Sequence, residues 1–522
     1  MRRFIAVTLI LCLCLTLITG CNRNEEVVTD DSVIQAAILE EFNKISIIPR
    51  ESGHERAISS YLKTWAKDNG FEVLRDASNN IIINKPATAG YENAPTTILQ
   101  CNMDMLTATA EGVVFDPVNT PIKTINNGDT LSAEGTNLGA DSGIGMATIL
   151  YVLKNASNHG PIRGIFTSDG EIGMTGAENL KEKHLEGDYL INVGWNANRT
   201  ICLGSGGTAS YEMMHPIEWT VPQNAVPYVL SITGLNGGTA EKDINNGGAN
   251  AIKTIGDILA TAQGQGILFE LAAFNGGISG DTIPTAATAV IIINESDQKK
   301  MQNVVDDAMA AFKDAYGGSE KDYTITYQET QMPDKVVSFE DNGSIISFIY
   351  GIINGVQSIS ESYSDVVESA SNLGMVSTAT GNFTCKVSAA STSDVGLYEM
   401  TTAHEAISSM CGLEYTYFEG TPRWPAHEDS VLYTSVSEIY NDLYDKKIKS
   451  RIVHNDLEMG WFAKKNPRLQ IISIGASIKN SNTPEETVDL DSVTRPSDVI
   501  IKFLELQKDK SISTTTNNKK PG

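Results

Sequence analysis

The sequence predicts an α/β domain with a mainly parallel sheet, interrupted by an inserted α+β domain. Three observations carry this reading. The chain has 522 residues, more than one hydrophobic core organises. Strand and helix patterns alternate up to about residue 208 and again after about 405, as in parallel sheets with crossover helices. Between these points the texture changes to strands of alternating apolar and polar residues mixed with helices. The expected division is 33–208 plus 406–508 for the α/β domain, with a lid at 209–405.

Taken in order, "DSVIQAAILEEFNKISIIP" opens with Asp and Ser and continues with apolar residues at helical spacing. "HERAISSYLKTWAKDNG" repeats the pattern and stops at Gly70. Strand-like runs follow in "FEVLRD", "NIIINKP" and "TTILQCNMDM". A Gly-rich turn, "GTNLGADSGIG", leads into the helix "MATILYVLKNAS". It lacks the Lys and the spacing of a phosphate loop, so it reads as a tight strand-to-helix turn. "GPIRGIFTSDGEIG" reads as strand then loop, and "YLINVG" as strand. In the inserted part, "YEMMHPIEW", "PYVLSITGL", "TAATAVIIIN" and "DYTITYQET" are alternating strands. The α/β texture returns in "RIVHNDLEMGWF", "LQIISIGASI" and the final helix "RPSDVIIKFLELQ". The polar end, 509–522, has no apolar face and reads as a disordered tail.

The net charge of −25 argues against nucleic acid and anionic membrane surfaces as partners. The N-terminus points to a membrane by another route. Arg2 and Arg3 precede "FIAVTLILCLCLTLI", shorter than the roughly 20 residues of a spanning helix. "LITGC" then matches a bacterial lipobox, implying removal of residues 1–20 and lipidation of Cys21. Several acyl chains on one cysteine anchor stably where one chain does not. An ordinary signal peptide is the alternative. The lipobox reading makes 21–32 an acidic tether and places the protein at the bacterial cell envelope, outside the cytoplasm. The other cysteines, Cys101, Cys202, Cys385 and Cys411, form no CxxC pair and read as buried free thiols.

Four stretches together resemble the aminoacyl-histidine dipeptidases, the bacterial carnosinase-like branch of the two-zinc metallopeptidases. They are "IPRESGHERAISSYLKTWAKDNGFEVLRDASNNIIINKPATAG", "GTNLGADSGIGMA", "GEIGMTGAENL" and "HNDLEMGWF", in that order, within a resemblance spanning about 40–505. The resemblance implies a dipeptidase fold in which two Zn²⁺ polarise the scissile carbonyl and activate a bridging water. Asp141 stands where the metal-bridging aspartate is expected, and Glu171 where a zinc carboxylate is expected. Asp104 stands where an aspartate would orient the first metal histidine.

The remaining positions depart from the family pattern. The first metal histidine is Asn102, the general base is Gly170, the other metal carboxylate is Gly194 and the last metal histidine is Asn482. On the substrate side, Thr239 replaces a lid histidine, Asp281 a lid asparagine, and Ser388 an arginine for the substrate carboxylate. Asn offers a neutral oxygen and Gly no donor, so two carboxylates would hold at most a weakly bound hard cation. Asp169 and Cys101 are the neighbours that would have to rewire the site, and a strand points Cys101 to the opposite face. His54, His159, His184, His215, His404, His427 and His454 all fall outside the ligand positions, although His454 lies in a matched stretch. Asp141 also fits a plain helix N-cap, and Glu171 a solvated loop acid.

Two readings follow. In one, a lipid-anchored pseudoenzyme with no cofactor binds a peptide-like ligand or a surface protein partner. In the other, a working metal-dependent dipeptidase keeps two Zn²⁺ per chain in a rewired site. The resemblance also admits a homodimer. Fold alone does not choose between the readings.

Overall fold

The computed structural model describes residues 31–508. The leader, Cys21, most of the acidic tether and the tail at 509–522 lie outside the described residues.

The first helix, Asp31–Ser46, buries Ile34, Ile38, Phe42 and Ile45, a stripe at helical spacing. The second, Arg56–Asp68, buries Ile58, Leu62, Trp65 and Ala66 in the same way. The first packs on the helix Ala140–Asn155, and the second packs on an eight-stranded sheet. Its strand order is Glu72–Arg75, Ile81–Lys85, Ile162–Thr167, Thr97–Asn102, Tyr189–Asn192, Gln470–Ser473, Thr200–Ser205 and Lys449–Val453. The centre is parallel: Thr97–Asn102 runs parallel to both of its neighbours, and Gln470–Ser473 continues the parallel run. Every residue of Thr97–Asn102 is buried, as expected of a strand covered on both faces. The crossover helix Ala140–Asn155 packs behind it.

The second sheet is antiparallel throughout. It contains Thr324–Glu329, Val226–Thr233, Ala287–Ile293, Phe269–Gly277, Val367–Ser377, Asn382–Ser391, Gly207–Pro216 and Glu414–Glu419 in that order, with Gly355–Ile359 beside Val367–Ser377. In Gly207–Pro216 alternate residues Ala209, Tyr211 and Met213 face the core, so one sheet face is covered. Helices Ala251–Gly264, Phe339–Gly351 and Asp394–Met410 help cover it. The strand Glu414–Glu419 pairs with Gly207–Pro216. The stretch just after residue 405 therefore packs with the second sheet, although the sequence groups 406–508 with the first. Its register is set by a strand some two hundred residues earlier, which local texture does not reveal.

Each sheet has its own hydrophobic core. The chain passes from one to the other at Gly206. A Cβ there would lie 2.0 Å from the His454 carbonyl oxygen, so only glycine lets the two segments approach. Among the described residues no helix is long and apolar enough to cross a membrane.

Candidate functional site

The central parallel strands end together, and the residues singled out in the sequence lie just beyond those ends. This is where ligands bind in α/β sheets. Strand Thr97–Asn102 delivers Asn102 and, two residues on, Asp104. Strand Ile162–Thr167 leads into the loop bearing Gly170 and Glu171. Asp141 sits in the first turn of helix Ala140–Asn155, where the backbone is not yet helical. The loop between the short strands Ile478–Lys479 and Thr487–Asp489 brings Ser481, Asn482 and Glu486.

Asp104 is fully buried and organises the floor. Its carboxylate accepts from the Ser52 hydroxyl (2.6 Å), the Gly170 amide (2.9 Å), the Glu171 amide (3.0 Å) and Asn102 Nδ2 (3.3 Å). This fixes the loop that carries Glu171. The Glu171 carboxylate is gripped at both oxygens. Asn102 Nδ2 donates to Oε1 at 3.1 Å and Asn482 Nδ2 donates to Oε2 at 3.1 Å. Burial, then the charges of Asp141 and Asp104, push Glu171 above the usual carboxylate range, against the two asparagine hydrogen bonds. Asp141 is raised by burial and then by Glu486. Asp104, Asp141 and Glu171 thus lie within electrostatic reach of one another.

Five contributors were not legible in the sequence. Arg50 is buried beneath the acids and donates to the carbonyls of Asp104 (2.9 Å) and Gly139. Ser52 holds Asp104. Glu486, fully buried, accepts the amides of Gly139 (2.9 Å) and Asp141 (3.2 Å). Gln100 and Glu458 lie below the floor, where Glu458 Oε2 accepts from Gln100 Nε2 (2.8 Å) and Thr167 Oγ1 (2.9 Å). A lone Arg in "IPRESG" and a Glu in "TPEE" give only the faint signal of charged residues inside otherwise apolar or turn-rich contexts.

The residues do not fit a pair of zinc ions. Both positions expected to hold histidines present an amide N–H toward a carboxylate, and an N–H donor does not ligate a cation. Gly170 has no space for a side chain as the loop stands, since a Cβ would lie 2.6 Å from Asn102 Cβ. A Cβ at Gly194 would lie 2.8 Å from the Ser142 hydroxyl. The neighbours that might have rewired the site are engaged elsewhere. Asp169 accepts from the Thr175 hydroxyl at 2.7 Å. Cys101 is buried on the opposite face, against helix Ala140–Asn155 near Gly145. Among the described residues, no group of three or more His, Cys, Asp and Glu side chains is gathered to hold a metal ion.

The substrate-side positions meet at one edge of the lid. Thr239 forms an isolated bridge with Thr282, and its amide donates to Asp243 (2.8 Å). Asp281 accepts the Ser279 hydroxyl and, through its carbonyl, the Ala240 amide (2.8 Å). Ser388 donates to the Gly280 carbonyl (2.8 Å). Thr239, Asp281 and Ser388 therefore build the loop's own framework. Of the histidines, His454 lines a cavity beside this edge. His215 is paired with Asp341 and His404 with Ser371, both within the lid.

Comparison with known proteins places this geometry. Residues 98–506 match peptidase family M20/M25/M40. The chain is 31% identical over 454 residues to the cytosol non-specific dipeptidase of Escherichia coli (strain K12), covering 87% of this chain and 93% of that protein. The crystal structure of aminoacylhistidine dipeptidase from Vibrio alginolyticus superposes with a TM-score of 0.81 at 31% identity, covering 92% of this chain and 99% of that one. A tripeptidase from Staphylococcus aureus shares the fold, with a TM-score of 0.52 at 15% identity, covering 91% and 99%.

Proposed function

The chain belongs to peptidase family M20/M25/M40, and on that premise we propose that it is a lipid-anchored binding protein that keeps the dipeptidase fold without metal-dependent hydrolysis. The observation that carries this reading is the clamp on Glu171. Asn102 and Asn482 stand at the expected histidine positions and hydrogen-bond the carboxylate directly. They supply the cross-links between loops that metal ligation would otherwise supply, and they leave no Lewis acid. With Gly170 at the general-base position, no side chain there takes a proton from water.

The ligand is of dipeptide size and peptide-like, by analogy with the dipeptidase relatives. A surface protein partner is the macromolecular form of the same reading. The net charge of −25 disfavours nucleic acid. Lipidation of Cys21 holds the protein at the cell envelope, facing away from the cytoplasm. Work on the purified protein tests the proposal by measuring bound metal and dipeptide hydrolysis with added Zn²⁺, Mn²⁺ or Co²⁺. Metal-free, inactive protein that still binds dipeptides supports it. Stoichiometric Zn²⁺ with chelator-sensitive hydrolysis replaces it with a working dipeptidase.

A further inference from the structure

A small cavity of about 30 Å³ lies where the lid edge meets the first domain, lined in part by Glu241, Asn372, Ser388 and His454. That volume holds one group of about the size of a water molecule. Its polar lining is one-sided. Asn372 is 1% exposed, and its Nδ2 donates to the carbonyls of Gly280 (2.8 Å) and Thr282 (2.8 Å). Two carbonyl partners fix the amide's orientation, and its Oδ1 is buried with no hydrogen-bond partner. A buried acceptor without a donor is costly and calls for one.

His454 adds a second acceptor. Burial lowers its imidazole to about 4, so the ring is neutral. Its Nδ1 faces the Val367 carbonyl at 3.1 Å and must carry the proton, which leaves Nε2 as an acceptor. Glu241, from the short lid helix Ala240–Asp243, adds a carboxylate. It faces Asp456 of the other domain, which accepts from the Thr208 hydroxyl at 3.3 Å. Burial and then Asp456 raise Glu241 to about 7, with Lys242 partly opposing. Neither acid makes an ion pair among the described residues. The N–H groups of Asn372 and His454 are thus engaged by carbonyls, and no Lys or Arg lines the cavity.

We propose that this cavity is a subsite for a primary ammonium group, bound by Glu241, Asn372 Oδ1 and His454 Nε2, with the rest of a small ligand lying outside it. Three acceptors match the three N–H donors of an alkylammonium. A divalent metal fits less well, because ligands must converge to about 2.0–2.3 Å and the acids and histidines here are not gathered as a metal-binding group. The inference rests on the proposed reading of the protein as a binder of small peptide-like ligands.

The test is calorimetric titration of the full chain with n-butylammonium chloride. Tetramethylammonium chloride, which has no N–H, and sodium butyrate serve as comparisons, and Zn²⁺ and Ca²⁺ are titrated separately. Saturable one-to-one binding of butylammonium alone is expected. Glu241→Gln and, separately, His454→Phe, which removes the Nε2 acceptor, should weaken it roughly tenfold to a hundredfold, the range of a charge-assisted hydrogen bond, with circular dichroism unchanged. Equal binding by parent and both variants, preference for butyrate, saturation by a metal instead, or no binding overturns the subsite. Alanyl-histidine hydrolysis followed in the same samples reports on the proposed function separately. Cleavage with butylammonium binding intact defeats only the non-catalytic reading, while lost ammonium binding without cleavage defeats only the subsite.

Discussion

Asn102 Nδ2 lies 3.1 Å from Glu171 Oε1, so a neutral amide holds the carboxylate that, in the family pattern, would hold a metal. Asn482 repeats the contact on the other oxygen. The first prediction follows from this pair of bonds. Glu171→Ala leaves the Asn482 amide without an acceptor and Asn102 with only its longer bond to Asp104, and should destabilise the fold by about 1–3 kcal/mol. Urea denaturation of the parent should be the same with and without a chelator. A chelator that lowers the parent's midpoint would show that metal, not the asparagines, joins these loops.

Gly170 and Asn102 are coupled sterically, with only 2.6 Å between a Cβ built at 170 and the Asn102 Cβ. Gly170→Ala alone should cost about 1–3 kcal/mol through overpacking. In an Asn102→Gly background the cost should fall, giving a coupling of about 0.5–3 kcal/mol in a double-mutant cycle. Additive effects would show that the loop moves freely.

Restoring metal ligation calls for concerted change. Asn102→His, Gly170→Glu, Gly194→Asp and Asn482→His together should raise Zn²⁺ affinity, measured by competition with a zinc indicator. The gain should exceed the roughly 10–100-fold that a single outer residue produces. Gly170→Glu by itself should give no gain, because the loop has to move away from residue 102. An unchanged affinity in the fourfold variant would remove the residue-by-residue correspondence with the metallopeptidases.

Stability should depend on Glu458. Burial raises this acid to about 8, against the hydrogen bonds from Thr167 and Gln100. Its unfolded value is about 4.3. The folded chain therefore holds a proton that the unfolded chain releases between these values. The resulting stabilisation is complete below about pH 4.3 and declines as pH rises through about 8. Glu458→Gln keeps an oxygen for Gln100 and Thr167 and removes this dependence. Denaturant midpoints of parent and variant should diverge in the variant's favour as pH rises, and parallel curves would show that Glu458 is ionised in the fold.

The membrane anchor is tested by Cys21→Ser, which should leave a soluble or unprocessed product. A substituted protein that still fractionates with membranes like the parent would rule out lipidation at this position.

The sequence by itself determined the elements and their order, because these depend on short-range periodicity. Ile34, Ile38 and Phe42 mark a helix face by their spacing, and the apolar run before Asn102 marks a buried strand. It also put Asp104, Asp141 and Glu171 in the turns after strands, which a parallel sheet necessarily gathers at one edge. The tertiary structure alone decided what those acids face. Glu486 reaches the Asp141 amide across 345 residues, and Arg50 reaches the Gly139 carbonyl across 89. The strand Glu414–Glu419 joined the second sheet for the same reason, since its partner is remote in the chain. An asparagine read in sequence is both donor and acceptor. Which end it turns toward Glu171, or toward the cavity at Asn372, is fixed only when folding presents a carboxylate to one amide and two carbonyls to the other.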